Sequence, residues 1–238
     1  MEDLDREEVV AVLDRMVDEL LARAGLAEPP VDAIALAQKH LDMVICVDRT
    51  QENRGRAQRA GGKRHIYLRP EPAEERHQWT VAHEIGEHLK AELLERLGVP
   101  PEKTPALAGE SLANLFAHRL LAPTCWFAED ARAVDFDVLE LKRRYRTASH
   151  ELLAWRFLDL PQACIVTVVD NDRISKRRSN GPRIKSKRLE PVEARCHELV
   201  RRTGTPQLQR ARGWTVQGWP LHRPDWQREI LRSVLDDD

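Results

Sequence analysis

The chain has few of the features that announce several large protein classes. It holds four cysteines in 238 residues, Cys46, Cys125, Cys164 and Cys196, and none form a C-x-x-C pair. Zinc-finger and dithiol-redox motifs are thereby excluded. Cys46 and Cys164 sit in apolar, strand-like runs and read as small buried hydrophobes. No stretch approaches the roughly 20 apolar residues that a membrane span needs. The first ten residues, MEDLDREEVV, are acidic and lack a basic start followed by an apolar core, so they do not read as a signal peptide. Neither sign of charge dominates: the formal net charge is −1, which excludes capture of nucleic acid or membrane by the whole molecule. Internal repeats and extended low-complexity segments are absent too. These absences predict a cytoplasmic protein with free thiols.

What is present is an ordinary globular composition, 42% hydrophobic and 32% charged, in a chain long enough to bury a sizeable core. Val9, Val12, Leu13, Met16, Leu20 and Leu21 recur at helical spacing before Gly25. A second helix is expected over 31–41 and a buried strand over 43–47. Gly61-Gly62 marks a hairpin, with a strand at 65–68. One long helix follows over 73–96, stopped by Gly98 and Pro100-Pro101. Further helices are expected at 107–121, 137–145, 149–158 and 191–201, and a strand at 164–169. A seam near 159–162 divides residues 1–160 from a small α+β unit over 161–238.

The long helix carries Trp79-Thr80-Val81-Ala82-His83-Glu84-Ile85-Gly86-Glu87-His88-Leu89. Zinc peptidases use H-E-x-x-H on a helix. Two histidines one turn apart grip the metal, and the Glu acts as general base on the metal-bound water. His83 and Glu84 fit this pattern. The i+4 position is Glu87, and a histidine arrives one residue late, at His88. At about 100° per residue, Glu87 lies roughly 40° round from His83 and His88 roughly 140°. Glu87 can share a metal with His83 on a regular helix, because carboxylate oxygen is a legitimate zinc ligand. His88 would need a bulge and stays open as the alternative. The bland reading is a solvated amphipathic helix with chance His and Glu.

Two blocks of the sequence resemble the ImmA/IrrE family of metallo-endopeptidases. Residues 79–86 are similar to that family's F-T-x-A-H-E-I/L-G-H segment. Residues 110–123, Glu110 through Pro123, resemble its E-x-x-A-N-x-F-A-x-x-L-L-x-P. Residues 30–37 look like the family's entry helix, 54–67 like the hairpin before its active helix, and 139–155 like the helices that follow. The resemblance spans about 28–158. It implies an α+β fold with a zincin-like helical metallopeptidase core and a small β-hairpin or sheet. It also implies that His83 and Glu110 are zinc ligands and that Glu84 is the general base. The family's second histidine aligns with Glu87. A second carboxylate would weaken the metal as a Lewis acid and shift preference towards harder ions such as manganese. The implied activity is zinc-dependent cleavage of a regulatory protein such as a helix-turn-helix transcriptional repressor, relieving repression under stress. The rival reading is a catalytically impaired binding or sensing module.

Residues 173–188 hold eight Lys or Arg and no acid. Such a run can contact nucleic-acid phosphates. The competing reading, a solvated strand-turn-strand with exposed cations, is favoured, because no aromatics interleave and no helix-turn-helix pattern is visible. Trp214, Trp219 and Trp226 are read as core of the C-terminal unit.

Overall fold

In the computed structural model, residues 6–100, 106–181 and 188–235 are described, the side chains of 106–110 excepted. They form an α+β fold of eight α-helices and two β-sheets, divided into two units. One unit comprises residues 1–133 and 142–149, the other 134–141 and 150–238.

The first unit begins with α1 (Arg6–Arg23), whose buried stripe is the predicted Val9, Val12, Leu13, Met16, Leu20 and Leu21 together with Val17. Glu7 and Glu8 in its first turn and Arg23 in its last oppose the helix dipole favourably. Helix α2 (Ala33–His40) is capped by Asp32, whose carboxylate accepts from the Ala35 amide at 2.9 Å. Three strands follow: β1 (Met43–Val47), β2 (Gly55–Ala60) and β3 (Lys63–Leu68). They pair in the order β1-β3-β2, with β1 parallel and β2 antiparallel to β3. Gly61 and Gly62 turn the hairpin with φ of 57° and 78°, a conformation costly for any residue with a Cβ.

Helix α3 (Glu74–Arg96) crosses this sheet and packs along α4 (Ala106–Leu121). Small residues make the approach close. A Cβ on Gly86 would lie 3.1 Å from the Ala113 Cα and 3.2 Å from a Phe116 ring carbon. Leu112, Ala113, Phe116, Ala117, Leu120 and Leu121 are the buried side of α4. The buried Arg119 pairs at 3.2 Å with Asp14, tying α4 to α1. Helix α5 (Thr124–Ala133), which the sequence pattern did not announce, buries Phe127 and Ala131.

The second unit is a five-stranded antiparallel sheet. Its strands are β4 (Ile165–Asp170), β5 (Arg173–Ser179), β6 (Gln207–Ala211), β7 (Trp214–Pro220) and β8 (Arg228–Leu235), in the order β5-β4-β8-β7-β6. Helix α8 (Pro191–Thr203) lies on β6, β7 and β8. Its Val192, Cys196 and Val200 pack with Val216 and Leu231, and Leu189 and Trp214 flank them. The helix sits so close that a Cβ on Gly218 would meet Val200 at 2.7 Å. Cys164 and Cys196 are buried, Cys46 is half-buried and Cys125 exposed. Burial pushes the Cys196 thiol up to about 12, which suits a packing residue, not a nucleophile. Trp219 is buried and Trp214 partly so, but Trp226 is exposed and lies outside the expected core.

A buried polar row crosses this sheet. Arg177 grips Glu193 through two hydrogen bonds, at 2.8 and 3.1 Å, and Ser233 donates to the same carboxylate at 2.6 Å. Removing one partner of a buried ion pair strands the other charge, which costs about 3–5 kcal/mol. Glu193→Ala is therefore expected to lower the unfolding free energy measured in urea by that amount, and the double variant Arg177→Met with Glu193→Leu to recover most of it. A stability unchanged in Glu193→Ala would show that Arg177 finds another partner.

A second buried carboxylate, Glu229, accepts from His222 at 2.6 Å and from His197 at 3.3 Å. Burial works to raise this carboxyl, but the two histidines together hold it below its ordinary 4.5. A depressed carboxylate contributes stability above its unfolded pKa and loses it as pH falls through the folded, lower value. Below about pH 4.5 the wild type should therefore lose stability more steeply than Glu229→Gln, as measured by melting temperature against pH.

Candidate active site

Helix α3 buries polar side chains where an amphipathic surface helix would place only apolar ones. Gln78, Thr80, His83 and Glu84 are all buried beside Val81, Ala82 and Ile85. Gln78 has a structural task. Its amide oxygen accepts from the Ala33 amide at 2.7 Å, and its nitrogen donates to Asp32 at 3.0 Å, which secures the start of α2.

His83 and Glu84 belong to a different arrangement. The His83 ring stacks on Trp79, one turn earlier, with centroids 5.2 Å apart and planes at 27°. Its Nδ1 lies 3.2 Å from Oδ1 of Asn114 on α4. The Glu84 carboxylate lies under β2 at Gly55. A Cβ there would meet Glu84 Oε1 at 2.5 Å and the Thr80 methyl at 2.4 Å. Glycine thus lets the sheet's edge strand close directly on the carboxylate. The Thr80 hydroxyl is buried there without a hydrogen-bond partner.

The other predicted residues are placed as follows. Glu87 is partly exposed, and its carboxylate lies 3.8 Å from the Lys90 ammonium. His88 points to the sheet, where its Nε2 donates to the His65 carbonyl at 3.0 Å. Burial, the largest influence, helps hold the His88 imidazole below its ordinary pKa, favouring the neutral ring. Glu110 belongs to α4, four residues before Asn114, and its side chain lies outside the described residues. No three His, Cys, Asp or Glu side chains are gathered to hold a metal ion among the described residues. A buried imidazole with one nitrogen engaged by an amide, beside a carboxylate under a glycine cradle, fits one ligand and one base of a metal centre. A concavity of about 610 Å³ lies against His88, lined also by Arg59, Arg64, Glu92 and Val99, and Glu84 is not part of its wall.

Two residues of this arrangement carried no role in the sequence. Asn114 stands in the quoted second block, and its spacing of four from Glu110 was the available signal. Gly55 is 29 positions from Glu84, and only the fold brings them together. The basic run is also clarified. Arg177 is committed to Glu193, Lys176 to Glu151, and Arg178 lies over the Trp155 ring at 5.2 Å. These acids and this ring come from elsewhere in the chain, which explains a run without acids of its own. Residues 182–187 of the run lie outside the described residues.

The backbone at Gly55 is one any residue can adopt, but a methyl there would press on the Glu84 carboxylate and on the methyl of Thr80, a stiff β-branched side chain buried on α3. Gly55→Ala should therefore fold with a lowered melting temperature while displacing the Glu84 carboxylate. The check is the 13C resonance of that carboxyl; an unmoved signal would mean that β2 shifts instead.

Comparison with known proteins bears on the same residues. A Mycobacterium tuberculosis transcriptional regulator of known structure is similar in fold, with a TM-score of 0.68 and 16% identity over 96% of this chain and 80% of that one. At that identity the likeness is one of fold. No curated protein sequence matches the chain. The model of the IrrE N-terminal-like domain, a peptidase family, matches residues 38–156. That span is half of the chain and takes in Gly55, His83, Glu84 and Asn114. The chain belongs to the IrrE N-terminal-like peptidase family.

Proposed function

We propose that this protein is a metal-dependent endopeptidase in which Glu84 is the general base and His83, Glu87 and Glu110 hold a zinc ion. The observation that carries this is the turn of α3 on which a buried His83 and a buried Glu84 follow one another, the carboxylate under the edge strand at Gly55. A divalent metal held there supplies Lewis acidity, polarising a peptide carbonyl and making water more acidic. Glu84 takes a proton from the attacking water and passes it to the leaving amine. The buried position keeps its carboxylate close to the reaction and away from bulk solvent. Two or three carboxylates around one imidazole make a hard donor set, so manganese is a second candidate.

The substrate class is proposed from the family resemblance: a regulatory protein such as a helix-turn-helix repressor, cleaved under stress. The structural neighbour's description as a transcriptional regulator is in keeping with that setting. A cytoplasmic location agrees with it, and no helix among the described residues is long and apolar enough to cross a membrane.

One observation favours a second reading, a binding or sensing module without hydrolysis. Glu87, which stands where the pattern calls for histidine, pairs with Lys90.

The two readings separate on metal content and cleavage. Purified wild type should carry near-stoichiometric zinc, lost in His83→Ala, Glu87→Ala and Glu110→Ala and kept in His88→Ala. Glu84→Gln should keep the metal and lose cleavage of an unstructured protein such as casein by a factor of at least about 100, within the 10²–10⁴ typical of a general base. Cleavage that persists in Glu84→Gln refutes the base assignment. A wild type that takes up no zinc when supplied moves the binding module to first place.

A further inference from the structure

A neutral imidazole carries one N–H, and only its other nitrogen can donate a lone pair to a metal. Which nitrogen that is depends on the hydrogen bond the ring makes elsewhere. His83 is 7% exposed, so bulk water does not decide it. Opposite its Nδ1 stands the Asn114 Oδ1, at 3.2 Å. An amide oxygen only accepts, so Nδ1 must carry the proton and donate. We infer that Asn114 is a positioning residue: it fixes His83 in the Nδ1–H tautomer and thereby presents Nε2 as the ligating atom. This rests on His83 being a metal ligand, as proposed above.

Three features make Asn114 suited to the task. First, the α3–α4 distance is set by backbone: Gly86 against Ala113, the residue next to Asn114, leaves room for no Cβ without a shift. The Asn114 side chain therefore meets His83 from a fixed platform. Second, Trp79 stacks against the ring and limits its rotation, so the hydrogen bond sets the tautomer and the stack the plane. Third, the partner is neutral. Histidine ligands are often oriented by a carboxylate, which adds negative charge and raises the basicity of the ligand. With Glu84 buried beside His83, and Glu87 one turn on, an aspartate here would add one more anion to a site already rich in them. An amide fixes the same tautomer without that charge.

The test uses the full chain, with variants Asn114→Ala and Asn114→Asp. The metal-free proteins are labelled with 15N-histidine, and the His83 ring signals are assigned by their loss in His83→Gln. Zinc affinity is then measured by competition with a chromogenic chelator. The wild type should show the His83 Nδ1 protonated. Asn114→Asp, which keeps the acceptor, should retain that tautomer and bind zinc. Asn114→Ala should show mixed tautomers and bind zinc about 10–100-fold more weakly, with melting temperature as the control for folding. An unprotonated Nδ1 in the wild type overturns the inference, because the Asn114 amide would then present its nitrogen. Wild-type tautomer and affinity in Asn114→Ala overturn it as well. The tautomer is read without metal, so a protein that binds no zinc would refute the proposed function, while the ring signals would still show whether Asn114 sets the tautomer of His83.

Discussion

The contact on which the candidate site depends is the approach of α3 to α4 at Gly86 and Ala113. No side chain intervenes on the α3 side, and a single added methyl would come within 3.1 Å of backbone. Three residues before Gly86 is His83, and one after Ala113 is Asn114. The 3.2 Å contact between those two is therefore a consequence of backbone packing, not of side-chain flexibility. Packed helices transmit small displacements without much relaxation, because interiors are dense and have few alternative rotamers to offer. The same logic operates on the opposite side of α3. Gly55 lets β2 close on Glu84, so the helix is clamped between two glycine contacts, with His83 and Glu84 presented between them.

A helix that buries a histidine and a glutamate in the interior of a unit gives up stability, since polar groups lose water on burial and recover it only through good partners. Gln78 on the same helix shows what recovery looks like, with hydrogen bonds to Ala33 and Asp32 that hold the next element in place. The Thr80 hydroxyl, beside Glu84 and without a partner, shows the opposite. Local violations of burial rules concentrate where a protein works, and here they fall within one turn of the H-E pair. In the C-terminal unit the buried charges behave differently. Glu193 is held by Arg177 and Ser233, and Glu229 by His197 and His222; Glu193 and His197 thereby tie α8 to its sheet, while the Arg177 Nε lacks a hydrogen-bond partner.

Much of the first unit was legible because its elements obey simple periods. The stripe from Val9 to Leu21, the Gly61-Gly62 turn and the uninterrupted run of α3 each rest on local physics. In the second unit the apolar run 164–169 marked β4, but β6, β7 and β8 were not legible, for a physical reason. In β8 the apolar residues Ile230, Leu231, Val234 and Leu235 fall at i, i+1, i+4 and i+5, which is helical spacing. Glu229, Arg232 and Ser233 are buried as well, bonded respectively to His197 and His222, to Gln217 on β7 and to Glu193 on α8, so the alternation of a half-exposed strand never appears. In β7, Gly218 and Pro220 read as breakers, yet Gly218 is where α8 approaches. For the site, His83, Glu84 and the second helix could be found by pattern. Gly55 could not, because proximity across a hairpin leaves no trace in spacing.

The substitution at Glu87 is best understood as a change in charge balance. A histidine at that position would give a neutral donor, whereas glutamate gives a charged one. With Glu84 adjacent and Glu110 on α4, the residues assigned to the centre would include three carboxylates and one imidazole. Such a set binds a divalent ion more strongly by Coulomb attraction but leaves it less able to polarise a carbonyl. Two neighbours act against the excess. Lys90, 3.8 Å from Glu87, offsets part of its charge, and Asn114 orients His83 without adding any. An activity tuned this way would be retained only if the neighbours stay as they are. Asn114→Asp should therefore preserve the geometry of His83 while making a metal bound there a poorer Lewis acid. Lys90→Glu should act in the same direction through Glu87, and neither change alters the Gly86–Ala113 approach that sets the helix spacing. The electrostatics of this site can thus be varied independently of the helix packing that builds it.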